Sequence, residues 1–588
     1  GKLLGYISNN STESVPDKLS YEYVDENCNS LRLNMNANWL LNKPWLTSLR
    51  FTASASTEHQ VSEVLNSHVA ELPTPYTTVL DCGLNEGAFY PEVYDEIMTV
   101  DGKPQTLQMK LSANIAHSLN RITGSLLAGV EYNLKGNNGE GKSGSFLPTG
   151  VRPRSFKDVP FIGDVSFFAE EKLRLSMNNS RLELQMGGRF TKVMAKEYDF
   201  DMCIEPRLNL RFVMKDKPLS TWALRAGIGA QYKMPTLAHL YPDPAYHDVL
   251  SYSYIDNATQ KGTALFSTLV LEDTRLYCLD LPRSVNYEIG LEVKQGAHFN
   301  LVASLFREVL DNGFSFASDV WPMSYRVYEM TSEPAEFVDG VLSVGGKVVP
   351  YKNEVTFMNF LTPTSNLSHT KNGVEFTMDF GKIECLNTQI MLDGIYLDVK
   401  RTDNNIHAYY TSGTINGENR KWAAACCGKS IFNVSHNKRF NTNLRLITRI
   451  PSVGFVFSFK GQCVWIDKQR KSVTSPITEI DGVKVVEPLA YVNENREFVY
   501  GMTMDEETMA HTSVYLQRLQ ENALLEDAPK PYAMADVRIT KEIGQWLQLS
   551  VYANNFTNSK PQRYLKSSDQ YVYKNTDIYF GCDMRIKL

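Results

Sequence analysis

Along much of this chain, apolar and polar residues change places at every second position. In "LRLNMNANW", Leu31, Leu33, Met35, Ala37 and Trp39 fall on one face, and Arg32, Asn34, Asn36 and Asn38 fall on the other. "LQMKLSANIAHS" repeats the split with Leu107, Met109 and Leu111 against Gln108, Lys110 and Ser112. "RLELQMGGRF" sets Leu182, Leu184 and Met186 against Arg181, Glu183, Gln185 and Arg189. In the last stretch, "DIYFGCDMRIKL", Ile578, Phe580, Cys582, Met584, Ile586 and Leu588 form one stripe. A period of two predicts β-strands whose two faces meet different solvents. Runs of roughly 9 to 13 residues also suit a strand that crosses a bilayer at a tilt.

Alternation alone fits a soluble antiparallel sheet with one wet face equally well, so the connections have to decide. Short turns read at "LNKP", "SLNR", "MNNS", "KDKPLS", "KQGA", "GKIE", "IPSV" and "EIGQ". Between them lie long segments, near 57–105, 134–162, 234–284, 311–371, 401–438 and 467–531, with briefer ones near 194–203 and 557–575. Loops of that length are abnormal inside a compact soluble domain. Short turns on one rim and long loops on the other are the organisation of an outer-membrane barrel. The expected fold is therefore all-β: a transmembrane antiparallel β-barrel filling 1–588, with about eighteen strands, short periplasmic turns and long extracellular loops. Trp39, Trp45 and Trp546 are expected in the interfacial girdles.

Composition fits that expectation and removes several others. Of 588 residues, 21% are charged and the net charge is -6, which provides no basic face, so no nucleic-acid partner is expected. Aromatics reach 11%, with 30 Tyr and 28 Phe. No apolar run is long enough for a transmembrane helix, and a barrel whose strands alternate keeps a polar average, here a mean hydropathy of -0.29. Nine cysteines lie scattered without paired spacing, which reads as isolated thiols or one or two loop disulfides rather than a metal site.

One motif needs separate treatment. "GNNGEGKSG", Gly136 to Gly144, matches a phosphate-binding loop at Gly136, Gly141, Lys142 and Ser143. Such a loop needs a helix to begin at its Lys-Ser, but Gly144, Pro148, Gly150 and Pro153 follow. The strand before it is amphipathic, with Glu131 and Asn133 on one face, where a phosphate-loop strand is apolar on both. The motif therefore reads as part of an outer loop, and a tag placed at Gly139 is expected to be reachable from outside the cell. No zinc-protease or nucleophile-elbow motif occurs, so no enzyme, cofactor or metal is expected.

At "LRAGIGAQYKMPTLAHLYPDPAYHD" the chain resembles TonB-dependent outer-membrane receptors through Arg225, Lys233, Pro235, Thr236, Leu237, Leu240 and Tyr241. "LEDTRLYCLDLPRSVNYEIGLEV" is similar to the family's return strand at Ser284, Glu288, Gly290 and Glu292, with Pro282-Arg283 in place of Pro-Glu. The closing blocks "RITKEIGQWLQLSVYANNFTNSKPQRY" and "YFGCDMRIKL" resemble Bacteroidota-type, SusC-like members. They end in Leu588, so the usual aromatic signal would fall to Phe580.

The resemblance implies a Gram-negative outer-membrane location and a barrel of about 22 strands. Against that count, the chain reads as an N-terminally truncated barrel portion that lacks the plug and first strands; a natural barrel with fewer strands is the alternative. The implied function is active uptake of a scarce, bulky nutrient, a small molecule, peptide or oligosaccharide, powered by the TonB complex acting through the plug. Implied partners are TonB, outer-membrane lipids and a surface lipoprotein lid. A passive porin, an adhesin and a secreted all-β glycan-active enzyme are the alternatives. The residues expected to touch substrate are Tyr241, Tyr246, Tyr252, Tyr254, Trp321 and Tyr325 in aromatic loop stretches, with Arg225 and Lys233 on the polar face.

Overall fold

The computed structural model describes residues 2–9, 19–69, 73–91, 93–145, 152–217, 220–256, 262–296, 298–428, 432–502 and 505–587. Among them, eighteen strands follow one another as a single antiparallel meander. They are β1 (Lys2–Asn9), β2 (Leu19–Lys43), β3 (Leu46–Val69), β4 (Pro104–Leu119), β5 (Ile122–Asn137), β6 (Ile162–Ser176), β7 (Arg181–Met194), β8 (Cys203–Lys217) and β9 (Ser220–Tyr232). The second half comprises β10 (Arg283–Gln295), β11 (Phe299–Tyr328), β12 (Tyr351–Ile383), β13 (Thr388–Asp403), β14 (Val434–Ile450), β15 (Phe455–Ser472), β16 (Tyr532–Ile543), β17 (Leu547–Asn554) and β18 (Tyr579–Ile586). Each strand pairs with the next in the chain, and among the described residues no pairing joins β18 to β1.

The registers keep each face pure. Arg225 on β9 stands opposite Gly290 on β10, which stands opposite Ser304 on β11, which stands opposite Glu375 on β12. One residue along, Leu224, Leu291, Ala303 and Phe376 share the other face. That apolar face is uncovered: Leu33 is 64% exposed and Ile289 63%. Burying one such side chain is favourable by about 1.5–3 kcal/mol, so a whole wall of them requires a hydrocarbon solvent. No helix among the described residues is long and apolar enough to cross a membrane.

The inner turns are tight and chemically suited to their task. Asn120 and Asn387 adopt positive φ, which Asn tolerates better than most residues, and Gly454 and Gly544 do the same without a Cβ. Asn120 and Gly544 fall within the expected turns "SLNR" and "EIGQ", whereas Gly454 lies one residue past "IPSV" and Asn387 three past "GKIE", because the preceding strand runs on to Ile383.

The outer connections differ from expectation where strands run on: β3 continues to Val69, inside the 57–105 segment, and one hairpin extends further still. The segment 311–371 is not a loop: β11 runs on to Tyr328 and β12 starts at Tyr351, which leaves 329–350 as the tip. Thirty residues span about 100 Å when extended, whereas about ten suffice to cross a bilayer, so most of this hairpin stands outside it. Other loops pack on the hairpin, and Val320, Phe357 and Met358 are buried. With apolar contact on both sides, the alternation that marks a membrane strand is lost.

Three further sheets gather the loops around this tower. In the β9–β10 loop Ala245–Ile255 pairs with Gly262–Leu271, which pairs with Gly83–Phe89, which in turn pairs with Pro75–Thr77. Ile406–Tyr409 and Ala423–Cys427 pair with Ala490–Val492 and Phe498–Tyr500, joining the β13–β14 and β15–β16 loops. Ile477–Ile480, Val483–Val486 and Gln517–Arg518 form the third.

Candidate functional site

The polar face of β4 to β10 is a network of paired charges. Buried Glu131 accepts from Arg189 at 2.7 Å and from Gln108 at 3.1 Å, with Lys110 at 3.7 Å. Asn133 donates to Asp164 at 3.0 Å, and the Lys110 ammonium lies 4.7 Å from the centre of the Phe168 ring. Arg211 reaches Glu292 at 2.7 Å with one arm and Glu183 at 3.0 Å with another. Arg225 pairs with Glu288 at 2.9 Å. Opposite it stands Gly290, where a Cβ would lie 2.2 Å from Arg225 Nε, so only glycine lets the guanidinium rest on the neighbouring strand.

Of these residues, Glu183, Arg211, Arg225, Glu288 and Glu292 line a recess of about 620 Å³ that also takes in Lys172 and Arg174. Cations and carboxylates are interleaved there, so the wall can exchange hydrogen bonds with a polar or zwitterionic surface without attracting one sign of ion. Of the expected contact residues, Arg225 belongs to this wall. Lys233 is exposed at the end of β9, with its backbone N–H bonded to Pro282 O at 2.9 Å.

The outer loops carry the other six. A cavity of about 530 Å³ lies between the tower and the β9–β10 loop, lined by Ser267, Thr268, Ser324, Tyr325, Arg326 and Asn353 among others. Tyr325 accepts from Asn419 at 2.9 Å, which ties it to the β13–β14 loop. Trp321, half-buried, stacks under the Arg496 guanidinium at 5.0 Å. Tyr246 carries Arg152 over its ring at 4.9 Å. Tyr254 bonds weakly to Ser332 O at 3.5 Å.

Tyr241 and Tyr252 are buried instead. Tyr241 donates to Lys196 O at 2.8 Å and packs with Leu240 and Phe200, and Tyr252 bonds Thr331 at 2.6 Å against Leu265 and Leu342. Both act as pegs between loops. The structure therefore divides the eight residues: Tyr325 faces the outer cavity, Arg225 the inner recess, and the other six lie elsewhere.

Arg211, Arg326 and Asp319 were not singled out from sequence. Arg211 had a signal, since "RLNLRF" puts it on the polar face beside Glu183 and Glu292. Asp319 had none. It is 1% exposed and accepts from Tyr277 at 3.1 Å and Arg496 at 3.1 Å, so two loops meet on one carboxylate of β11. Burial, followed by the charge of Asp319, pushes Tyr277 up to about 12. A second anchor is Asp243, which pairs with Lys142 and Arg154. Burial would raise the pKa of Asp243, but the hydrogen bonds and charges of Lys142 and Arg154 outweigh it and hold the carboxyl below its ordinary value.

Lys142 is thus spent on an ion pair. Gly141–Gly144 forms a strand against Val93–Gly102, so its backbone groups are engaged in a sheet and do not cradle phosphate. All nine cysteines are unpaired, and among the described residues no group of His, Cys, Asp or Glu is placed to hold a metal.

The geometry is that of a polar-walled barrel capped by interlocked loops. The family model described as TonB dependent receptor-like, beta-barrel, matches residues 3–442. The chain belongs to this family. Its barrels are proteins of the outer membrane, which agrees with the uncovered apolar wall. Similar solved structures include the siderophore receptor PirA from Acinetobacter baumannii, at 11% identity and a TM-score of 0.43, covering 97% of this chain and 71% of that one. A variant of the ferric enterobactin receptor PfeA from Pseudomonas aeruginosa matches at 13% identity and a TM-score of 0.46, covering 96% of this chain and 70% of that one. No curated protein sequence matches the chain.

Proposed function

We propose that this barrel captures a scarce, bulky nutrient at its outer loops and imports it with energy delivered by TonB. The observation that carries this reading is the cap. Loops from seven connections share sheets and side-chain anchors, and a cavity opens between them above a lumen wall of paired charges. A passive pore needs no such cap, because ordered loops over the entrance obstruct diffusion. Capture followed by gated release does need one, since preorganised loops lower the entropic cost of holding a ligand.

In this reading Tyr325, with Arg326 and Asn353, forms the outer capture surface, and Arg225 with Arg211 belongs to the inner wall. The plug, and through it the TonB complex, acts on that wall. A surface lipoprotein closing over the loops belongs to the same reading for peptide or oligosaccharide cargo.

The test is uptake in cells that carry the intact gene with and without a working TonB. Uptake of the cognate nutrient should stop when TonB is removed or the proton gradient is collapsed. Uptake that continues unchanged points to a passive pore and overturns the proposal.

A further inference from the structure

The outer ends of β13, β14 and β15 break the rule that the outward face is apolar. Registers place Tyr396, Phe440 and Ile466 in one outward row, facing the same way as Phe376 and Leu444. The next outward row is Asp398, Lys438 and Lys468, and the row beyond it is Lys400, His436 and Arg470. Trp465, the extra residue at the bulge, donates its indole N–H to outward Thr442 at 2.9 Å, just below these rows.

Height decides what these cations meet. From Ile450 at the inner turn to Phe440, β14 climbs about 25 Å, given ~3.3 Å per residue and a tilt of ~40°. That is the height of a barrel's apolar band, so the Lys438 row stands at the level of the outer headgroups. Asp398 takes up part of the charge, with His436 at 2.6 Å and Lys438 at 3.4 Å, and Glu526 pairs with Lys468 at 2.9 Å. Lys400 and Arg470 are exposed and have no ion-pair partner among the described residues. Four fixed cations thus sit over a shelf of Tyr396, Phe440, Trp465 and Ile466.

An anion alone would not need the shelf, and an acyl chain alone would not need the cations. We propose that this sector binds a phosphate-bearing lipid of the outer leaflet, with its phosphate held between Lys400, Lys438 and Arg470 and its chains against the aromatic row. The inference rests on the barrel lying in an outer membrane. A single lipid held here would brace the wall under the β13–β14 and β15–β16 loops, which together form one of the sheets of the cap.

The test uses the full chain purified in neutral detergent, titrated with bisphosphorylated lipid A and with the same lipid after removal of its phosphates, and read by native mass spectrometry. The wild type should hold one bisphosphorylated lipid at least tenfold more tightly than its dephosphorylated counterpart. Lys438→Gln with Arg470→Gln should erase that preference, whereas Lys438→Arg with Arg470→Lys keeps it and Lys110→Gln, on the lumen face, leaves it unchanged. Equal affinity of the wild type for the two lipids, or a preference that survives the double Gln variant, overturns the proposal. The membrane reading fails separately, if the protein leaves the membrane fraction without detergent.

Discussion

Asp319 is the residue on which the outer cap turns. Its carboxylate is the meeting point of Tyr277 from one loop and Arg496 from another, with almost no access to water. Asp319→Ala removes the carboxylate and leaves the Tyr277, Arg496 and Val320 N–H donors without it, a loss of about 1–3 kcal/mol in the docking of those loops. Limited proteolysis of the 473–531 loop should accelerate accordingly, and unchanged cleavage would place the anchor elsewhere. Gly290 makes the complementary point on the wall, because any side chain there displaces Arg225 from Glu288. Single residues of this kind were only partly legible. The polar face was readable from alternation, so Arg225 could be named. A buried Asp on an extended hairpin strand looks like any solvated Asp until its partners, dozens to more than a hundred residues away, are known.

Elements reveal their environment through what they tolerate. Ile289 stands on the outward face of β10, some six residues above the inner turn, and is 63% exposed. Ile289→Lys should destabilise the barrel by about 2–4 kcal/mol in a bilayer, because a lysine near the midplane must be dragged into hydrocarbon. Unfolding in liposomes measures this, and a change within 0.5 kcal/mol, roughly the effect expected at a watery surface, would contradict the lipid-facing assignment. The loop sheets respond to acid instead. Burial holds His247 below the ordinary histidine value of 6.5, so the folded hairpin favours the neutral ring. Its contribution is complete above pH 6.5 and is lost as the pH falls through the lower folded value, with Asp243 following at still lower pH as it protonates. Amide exchange across 245–271 should therefore quicken on acidification from pH 6.5, and His247→Gln should remove the first part of that response. Strands in the membrane were legible because lipid and lumen impose opposite chemistries on neighbouring positions. The upper halves of β11 and β12 were not, since loops cover them on both sides.

At the scale of the molecule, sidedness is the claim on which capture, lid and lipid all depend. From its sequence, "GNNGEGKSG" is expected outside, with Gly139 as a tagging point. The structure keeps that segment among the long connections, but Gly139 is buried and a Cβ there would sit 2.2 Å from the Asp101 carbonyl oxygen, so a less tightly packed insertion point is preferable. A better site is Gly482, at the tip of the Ile477–Ile480 and Val483–Val486 hairpin, where φ is +77° and nothing lies within 4 Å. An epitope inserted there lengthens an exposed turn without touching the wall. The matching inner site is the Asn120–Arg121 turn between β4 and β5. Antibody should bind the Gly482 tag on intact cells and reach the Asn120 tag only after the outer membrane is permeabilised. The reverse pattern would invert the barrel, send the capture surface to the periplasm and remove the basis of the proposed uptake. Binding of both tags on intact cells would mean that the outward face is not embedded at all.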